Sequence, residues 1–184
     1  MLPGGTVMSC ERTALVLIDL QRWIVDRPWQ PMSGDSVVEA CGRLREHFSA
    51  ADSASVVIVR YARADGADGG VDAAPNHLVP GFTPRAGECL VTKHGLDAFE
   101  DTDLHDHLHR SGVTRIVLAG LSTAHGVAST AAAARGLGYE VVVVADATAS
   151  ENEAQYREAL ERIIALGGRR GLVDELVTTE VAGG

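Results

Sequence analysis

Residues 13–19, with the sequence TALVLID, form a short and almost wholly apolar run that ends in the carboxylate of Asp19. Such a run lacks the alternation of a half-exposed strand and is typical of a parallel strand buried on both faces. Four further runs of this kind follow along the chain, and a weaker one closes it. They are SVVIVR at 55–60, ECLVTK at 88–93, RIVLAG at 115–120, EVVVVAD at 140–146 and a possible sixth strand at 176–179.

Helical patterns separate these runs. The spacing of apolar residues predicts helices at residues 35–51, 103–111, 124–137 and 151–166. Strands that alternate with helices predict an α/β fold of three layers (α/β/α), doubly wound around a mostly parallel sheet of about six strands. The 184 residues show no repeat and no break in composition, so we expect a single domain over residues 1–184. In such sheets, ligands bind at the carboxyl ends of the strands.

The composition excludes several classes of function. The chain has 25 acidic and 16 basic residues and a net charge of -9, which argues against binding to nucleic acid or to an anionic membrane surface. No apolar stretch approaches the ~20 residues that span a bilayer. Residues 1–9 lack the basic and apolar regions of a signal peptide, and three cysteines do not suggest a disulfide framework. These features predict a soluble, cytoplasmic protein.

Two charged side chains end predicted strands. Asp19 ends the first strand, and Lys93 ends the third. Either could have an ordinary role, as a loop carboxylate or as a lysine that reaches solvent. If both face one crevice, each alters the proton affinity of the other, as acid–base catalysis requires.

The fourth predicted strand runs into GLSTAHGVAST at residues 120–130. A strand that breaks at Gly120 and enters a helix leaves backbone N–H groups free at the start of the helix. Such groups suit a carboxylate or a developing oxyanion. The alternative is an ordinary helix rich in small residues, in which Gly126 allows close packing on the sheet.

These three segments, in this order, resemble the isochorismatase-like hydrolase superfamily of cysteine hydrolases. The motifs are LIDLQ at 17–21, VTK at 91–93 with Ala98 and Phe99 beyond it, and residues 120–130. The resemblance implies a catalytic Asp19, a catalytic Lys93 and a non-proline cis peptide bond before Ser122. It also implies a homo-oligomer, either a dimer or a tetramer.

The resemblance further assigns residues around the substrate, and several of them have a second interpretation. Trp23 is expected to form a pocket wall, whereas Trp29 could line the pocket or cover a neighbouring subunit. Gln21 could orient the site or cap the loop backbone. The remaining candidates for substrate binding are Ser122, Thr123 and His125.

The chain departs from the cysteine hydrolases at Gly126, which stands where the amidases of the superfamily carry their nucleophilic cysteine. Glycine supplies no thiol, and Cys10, Cys41 and Cys89 are poorly placed to replace it. The isochorismatase branch also has glycine here and cleaves a vinyl ether, which needs a proton donor and no nucleophile. The resemblance therefore implies a cofactor-independent hydrolase in which Asp19 is the proton donor and the Gly126 backbone lines the oxyanion side.

Two differences from that branch leave other functions open. Isochorismatases tend to carry Tyr at the position of Ser122, and their His lies one position before His125. One alternative is another hydrolysis that depends on Asp19 and Lys93 and acts on a different small molecule. The other is a non-catalytic binding protein.

The sequence predicts no metal site. His105, His107 and His109 have a spacing that some zinc sites use, but their short polar helix is more typical of a solvated face. Arg63 and Arg85 flank the long loop between the second and third strands. Each could pair with a substrate carboxylate or simply lie on the surface.

Overall fold

A six-stranded parallel sheet forms the centre of the molecule in the computed structural model, which describes residues 12–178. The strands are β1 (Arg12–Ile18), β2 (Ala54–Tyr61), β3 (Cys89–Lys93), β4 (Val113–Leu121), β5 (Glu140–Ala149) and β6 (Arg169–Gly171). Across the sheet they are ordered β3-β2-β1-β4-β5-β6, and every neighbouring pair is parallel. The predicted fold class is confirmed.

Helices cover both faces of this sheet. Within the described residues they are α1 (Arg22–Val25), α2 (Gly34–Ser49), α3 (Leu104–Arg110), α4 (Ala128–Gly136), α5 (Glu153–Ala165) and α6 (Val173–Thr178). A 3-10 turn, Ala74–Asn76, lies in the long loop after β2, and a π-helical turn, Thr123–Val127, joins β4 to α4. The predicted helix at 124–137 therefore begins with a wider turn than a regular α-helix has.

The apolar runs arise because alternate side chains of one strand enter two different cores. In β1, Val16 and Ile18 pack in the cluster that contains residues of α3, α4 and α5. Leu15 and Leu17 point the other way and pack in the cluster that contains residues of α2. All four side chains are fully buried. A strand covered on both faces has no polar positions to alternate with, which explains its sequence.

The predicted sixth strand at 176–179 is wrong. Leu176 belongs to helix α6, and Thr179 lies outside the described residues, as does Cys10. The sixth strand is instead Arg169–Gly171, which pairs with β5 at the edge of the sheet. Its two arginines are exposed, so this short edge strand carries no apolar run that a sequence pattern could detect.

The strand order places a topological switch point beside β1. The chain leaves β1 towards β2 on one side and later returns to β4 on the other side. Crevices at such points, outside the carboxyl ends of the strands, are where doubly wound sheets bind ligands. No helix within residues 12–178 is long and apolar enough to cross a membrane.

Candidate active site

A pocket of about 300 Å³ opens at the carboxyl ends of β1, β3 and β4. Its innermost residues are Asp19, Lys93 and Gly126, which are all buried. Trp23 and Trp29 also line it, and Trp23 is 38% exposed whereas Trp29 is 8% exposed. The pocket therefore combines a charged floor with aromatic side chains.

Asp19 occupies an unusual backbone conformation directly after β1. Its N–H donates to the Val59 carbonyl at 2.9 Å, which extends the sheet pairing by one residue. Its φ is then +53°, in the left-handed region, where aspartate is among the few non-glycine residues found with any frequency. The Gln21 N–H closes the turn on the Asp19 carbonyl at 2.8 Å. The strand end and this turn together fix the position of the carboxylate.

Lys93 reaches the same point from the end of β3. Its Nζ lies 2.9 Å from Asp19 Oδ2 and donates to the Gly95 carbonyl at 3.0 Å. Nζ also lies 5.3 Å from the centroid of the Tyr61 ring. The lysine is 1% exposed, so it does not reach solvent. The two charged strand ends thus form one buried ion pair, as the acid–base interpretation of the sequence requires.

The ion pair leaves Asp19 able to hold a proton near neutral pH. Burial raises the pKa of the carboxyl from 3.8, the charge and hydrogen bond of Lys93 lower it, and the balance is a pKa of about 6. Oδ2 faces Lys93, whereas the buried Oδ1 has no hydrogen-bond partner among the described residues. A buried oxygen without a partner is costly unless a ligand uses it.

Gly126 lies against this pair. A Cβ built on it would lie 3.4 Å from Asp19 Oδ2, 3.6 Å from Lys93 Nζ and 2.9 Å from Ile18 Cγ2. A side chain at this position would therefore enter the charged floor of the pocket. Neither described cysteine replaces the missing thiol. Cys41 lies on the buried face of α2, where burial raises its pKa, and Cys89 lies at the start of β3.

The segment after β4 adds two polar side chains to the pocket. The Leu121–Ser122 peptide bond is cis, as the family resemblance implies. Ser122 Oγ lies 2.9 Å from His125 Nδ1, and both residues line the pocket. Thr123, by contrast, is fully buried and shares a hydrogen bond of 2.9 Å with the Thr148 hydroxyl. Thr123 is not part of the pocket lining, and its predicted contact with substrate stays a prediction.

The comparisons with known proteins agree with this geometry. A model of the isochorismatase domain matches residues 13–173. The chain belongs to the isochorismatase family. The family protein YecD of Escherichia coli O157:H7 is 34% identical over 92% of this chain and 97% of its own length. A solved structure of an isochorismatase family protein from Burkholderia thailandensis is 33% identical and has a TM-score of 0.82 over 91% of this chain and 96% of its own.

Two further relatives are named for a biochemical role. The phenazine biosynthesis protein PhzD of Pseudomonas fluorescens is 30% identical over 82% of this chain and 78% of its own length. The maleamate amidohydrolase of Pseudomonas putida is 28% identical over 77% of this chain and 74% of its own length. The relatives are thus named for different roles, and membership of the family does not by itself select a reaction.

Gln21, in the LIDLQ motif of the family, acts on the loop backbone. Its Nε2 donates to the carbonyls of Tyr61 and Asn76 at 2.9 and 2.8 Å, and its Oε1 accepts from the Tyr61 N–H at 2.7 Å. The side chain is fully buried and does not line the pocket, so a contact between Gln21 and a substrate stays a prediction. The other interpretation, a cap for the loop backbone, describes it, and this link positions the segment that follows Asp19.

The two predicted candidates for an arginine contact lie elsewhere. Arg63 pairs with Asp65 and Arg85 pairs with Glu46, all on exposed side chains outside the pocket. The arginine that does line the pocket is Arg27, which the sequence analysis missed. In the sequence, the only sign of this role is that Arg27 lies between Trp23 and Trp29. The remaining lining residues are Ile24, Tyr61, Leu96, Leu121 and Glu151.

The histidines of α3 make contacts within the protein. His105 Nδ1 lies 2.9 Å from the Tyr139 hydroxyl, and the His105 and His109 rings are 5.9 Å apart. Residues 12–178 contain no group of three or more His, Cys, Asp or Glu side chains that could hold a metal ion.

Proposed function

We propose that the protein hydrolyses the vinyl ether of isochorismate or of a related enolpyruvyl compound and needs no cofactor. One observation carries the proposal. Asp19 is a buried carboxyl with a pKa of about 6, and its Oδ1 has no hydrogen-bond partner among the described residues. It lies beside Lys93 and next to Gly126, which carries no thiol. This combination suits a reaction that needs a proton donor and no protein nucleophile.

The proposed reaction begins with Asp19. The protonated carboxyl donates its proton to the methylene carbon of the enolpyruvyl group, which leaves an oxocarbenium ion at the ether carbon. Water adds to that carbon and returns a proton to the Asp19 carboxylate. The resulting hemiketal collapses to pyruvate and a diol. Lys93 stabilises the carboxylate that forms when the proton leaves, because its Nζ is 2.9 Å from Oδ2.

The rest of the pocket supports a substrate of this kind. Trp23 and Trp29 offer apolar surface to a ring, and the absence of a side chain at Gly126 leaves room for it. Amide hydrolysis by a cysteine is not proposed, since no cysteine among the described residues lines the pocket.

The test is release of pyruvate from isochorismate. We expect the wild-type protein to release it and Asp19→Asn to do so about 10²–10⁴-fold more slowly, which is the usual contribution of a general acid. Asp35→Asn is the matched control, because Asp35 is exposed in the first turn of α2 and should leave the rate unchanged. No release by the wild-type protein at high enzyme concentration, or full activity in Asp19→Asn, would overturn the proposal.

A further inference from the structure

An ion pair stands at the rim of the pocket. Arg27 Nη2 lies 2.5 Å from Glu151 Oε1, the two side chains are 43% and 41% exposed, and both line the pocket. The Arg27 guanidinium also lies over the Trp29 ring, 5.0 Å from its centroid. The ring therefore holds one face of the guanidinium, and the carboxylate of Glu151 occupies its edge.

The two segments that carry this pair are tied together by their backbones. The Gln30 N–H donates to the Ser150 carbonyl and the Ser150 N–H donates to the Gln30 carbonyl, both at 2.8 Å. Trp29 is itself fixed, because its Nε1 donates to the Ile24 carbonyl at 2.7 Å. Arg27 is thus held at the rim whether or not Glu151 pairs with it.

The charges in the pocket single out Arg27. Lys93 and Arg27 are the only lysine and arginine side chains that line it within the described residues. Lys93 is buried and is already occupied by Asp19 and the Gly95 carbonyl. The Arg27–Glu151 pair is half exposed, and exposed ion pairs contribute little to stability. A ligand carboxylate can therefore replace Glu151 at small cost, and arginine binds carboxylates with two parallel hydrogen bonds.

We propose that Arg27 determines specificity by binding a carboxylate of the substrate, with Glu151 as the internal competitor that it releases. The proposal rests on the proposed function for the identity of the reaction, but it concerns which ring compounds the pocket accepts. It names acidic ring compounds as the substrate class. The electron-rich Trp29 ring and the tied loops provide the preorganisation that such a contact needs.

Binding of benzoate and of benzamide tests the proposal, because the two probes share a ring and differ in charge. Both tryptophans of the chain line the pocket, so their fluorescence reports binding directly. We expect Arg27→Gln to weaken benzoate binding about 10-fold or more and to leave benzamide binding within about 2-fold. Glu151→Gln should strengthen benzoate binding several-fold. Arg43→Gln, which breaks an exposed pair with Asp174 and changes the net charge equally, should change neither.

The kinetic counterpart is a rise in KM for isochorismate in Arg27→Gln with little change in kcat. The proposal is overturned if wild-type protein does not bind benzoate, if Arg27→Gln leaves benzoate binding intact, or if it weakens both probes equally. Failure of the proposed function looks different. In that case isochorismate yields no pyruvate, while the discrimination between benzoate and benzamide still depends on Arg27.

Discussion

Two buried ion pairs in this molecule have opposite consequences. Asp19 and Lys93 meet at the floor of the pocket, and Arg45 of α2 meets Glu88 in the loop before β3, with Nη2 2.5 Å from Oε2. Arg45 is 1% exposed and the Glu88 side chain 6% exposed, so both pairs are largely removed from water. They differ in how many hydrogen bonds their members make.

The Arg45–Glu88 pair is saturated. Arg45 donates to both carboxylate oxygens and to the carbonyls of Gly81 and Thr83. Glu88 also accepts from the Arg85 N–H. Burial raises the pKa of Glu88, but the hydrogen bonds of Arg45 and Arg85 outweigh it, and the pKa is lowered. Glu88 therefore stays ionised and fastens the loop under α2.

The Asp19–Lys93 pair is not saturated. Among residues 12–178, Asp19 finds a hydrogen-bond donor only at Oδ2, and burial outweighs Lys93, so its pKa rises to about 6. The depth of burial and the number of hydrogen bonds, and not the presence of a cation alone, thus separate a structural anion from a carboxyl that can carry a proton.

Breaking the saturated pair should cost the most stability. Arg45→Met leaves the Glu88 charge buried without a partner, so we expect the free energy of unfolding to fall by about 3–5 kcal/mol. Chemical denaturation measures this, and pyruvate release per folded molecule should not change. Arg43→Met on the same helix is the control, since its exposed pair with Asp174 should contribute at most about 1 kcal/mol. Equal losses in the two variants would contradict the distinction between the pairs.

Adding a side chain beside the unsaturated pair should have the next largest effect. In Gly126→Ala the new Cβ would lie 2.9 Å from Ile18 Cγ2, so the packing must shift at a cost of about 1–3 kcal/mol in unfolding free energy. The methyl group would also crowd Asp19 Oδ2, and pyruvate release should fall. Gly42→Ala is the control. No heavy atom lies within 4 Å of its Cβ, and alanine in a helix should stabilise by up to about 1 kcal/mol. A stable and fully active Gly126→Ala would show that the pocket floor beside Asp19 and Lys93 can accommodate a methyl group.

The sequence predicts the Asp19–Lys93 pair and does not predict the Arg45–Glu88 pair. Asp19 and Lys93 could be found because both end apolar strands, and parallel strands bring their carboxyl ends to one edge of the sheet. Arg45 and Glu88 are separated by the whole of β2 and the loop after it. Arg45 sits in a helix where an arginine ordinarily faces solvent. Nothing in local spacing reveals that the loop folds over it.

The rim of the pocket shows the same limit. Arg27 and Glu151 are 124 residues apart and meet only because the bridge between Gln30 and Ser150 joins their segments. The polar strand β6 was missed because its pairing depends on backbone groups at a sheet edge, which impose no pattern on side chains. What the sequence predicts are features repeated along one element, whereas contacts between loops depend on the finished fold.

The smallest expected effect is a shift of pH dependence, and it tests the unsaturated pair most directly. If Asp19 donates the proton, kcat should be constant below its pKa of about 6 and fall as pH rises through that value. Lys93 lowers this pKa, so Lys93→Met should move the fall to higher pH, by on the order of one unit, whatever happens to the maximal rate.

Arg27→Gln provides the matched control for that shift, since it removes a cation from the rim that is paired with Glu151 and not with Asp19. Its kcat profile should fall at the same pH as that of the wild-type protein. A profile that rises through pH 6 would mean that Asp19 acts as a base, because activity would then follow the carboxylate form. A fall that stays in place in Lys93→Met would mean that a different group titrates. The first result would reverse the direction of proton transfer at Asp19, and the second would separate the buried pair from the proton transfer.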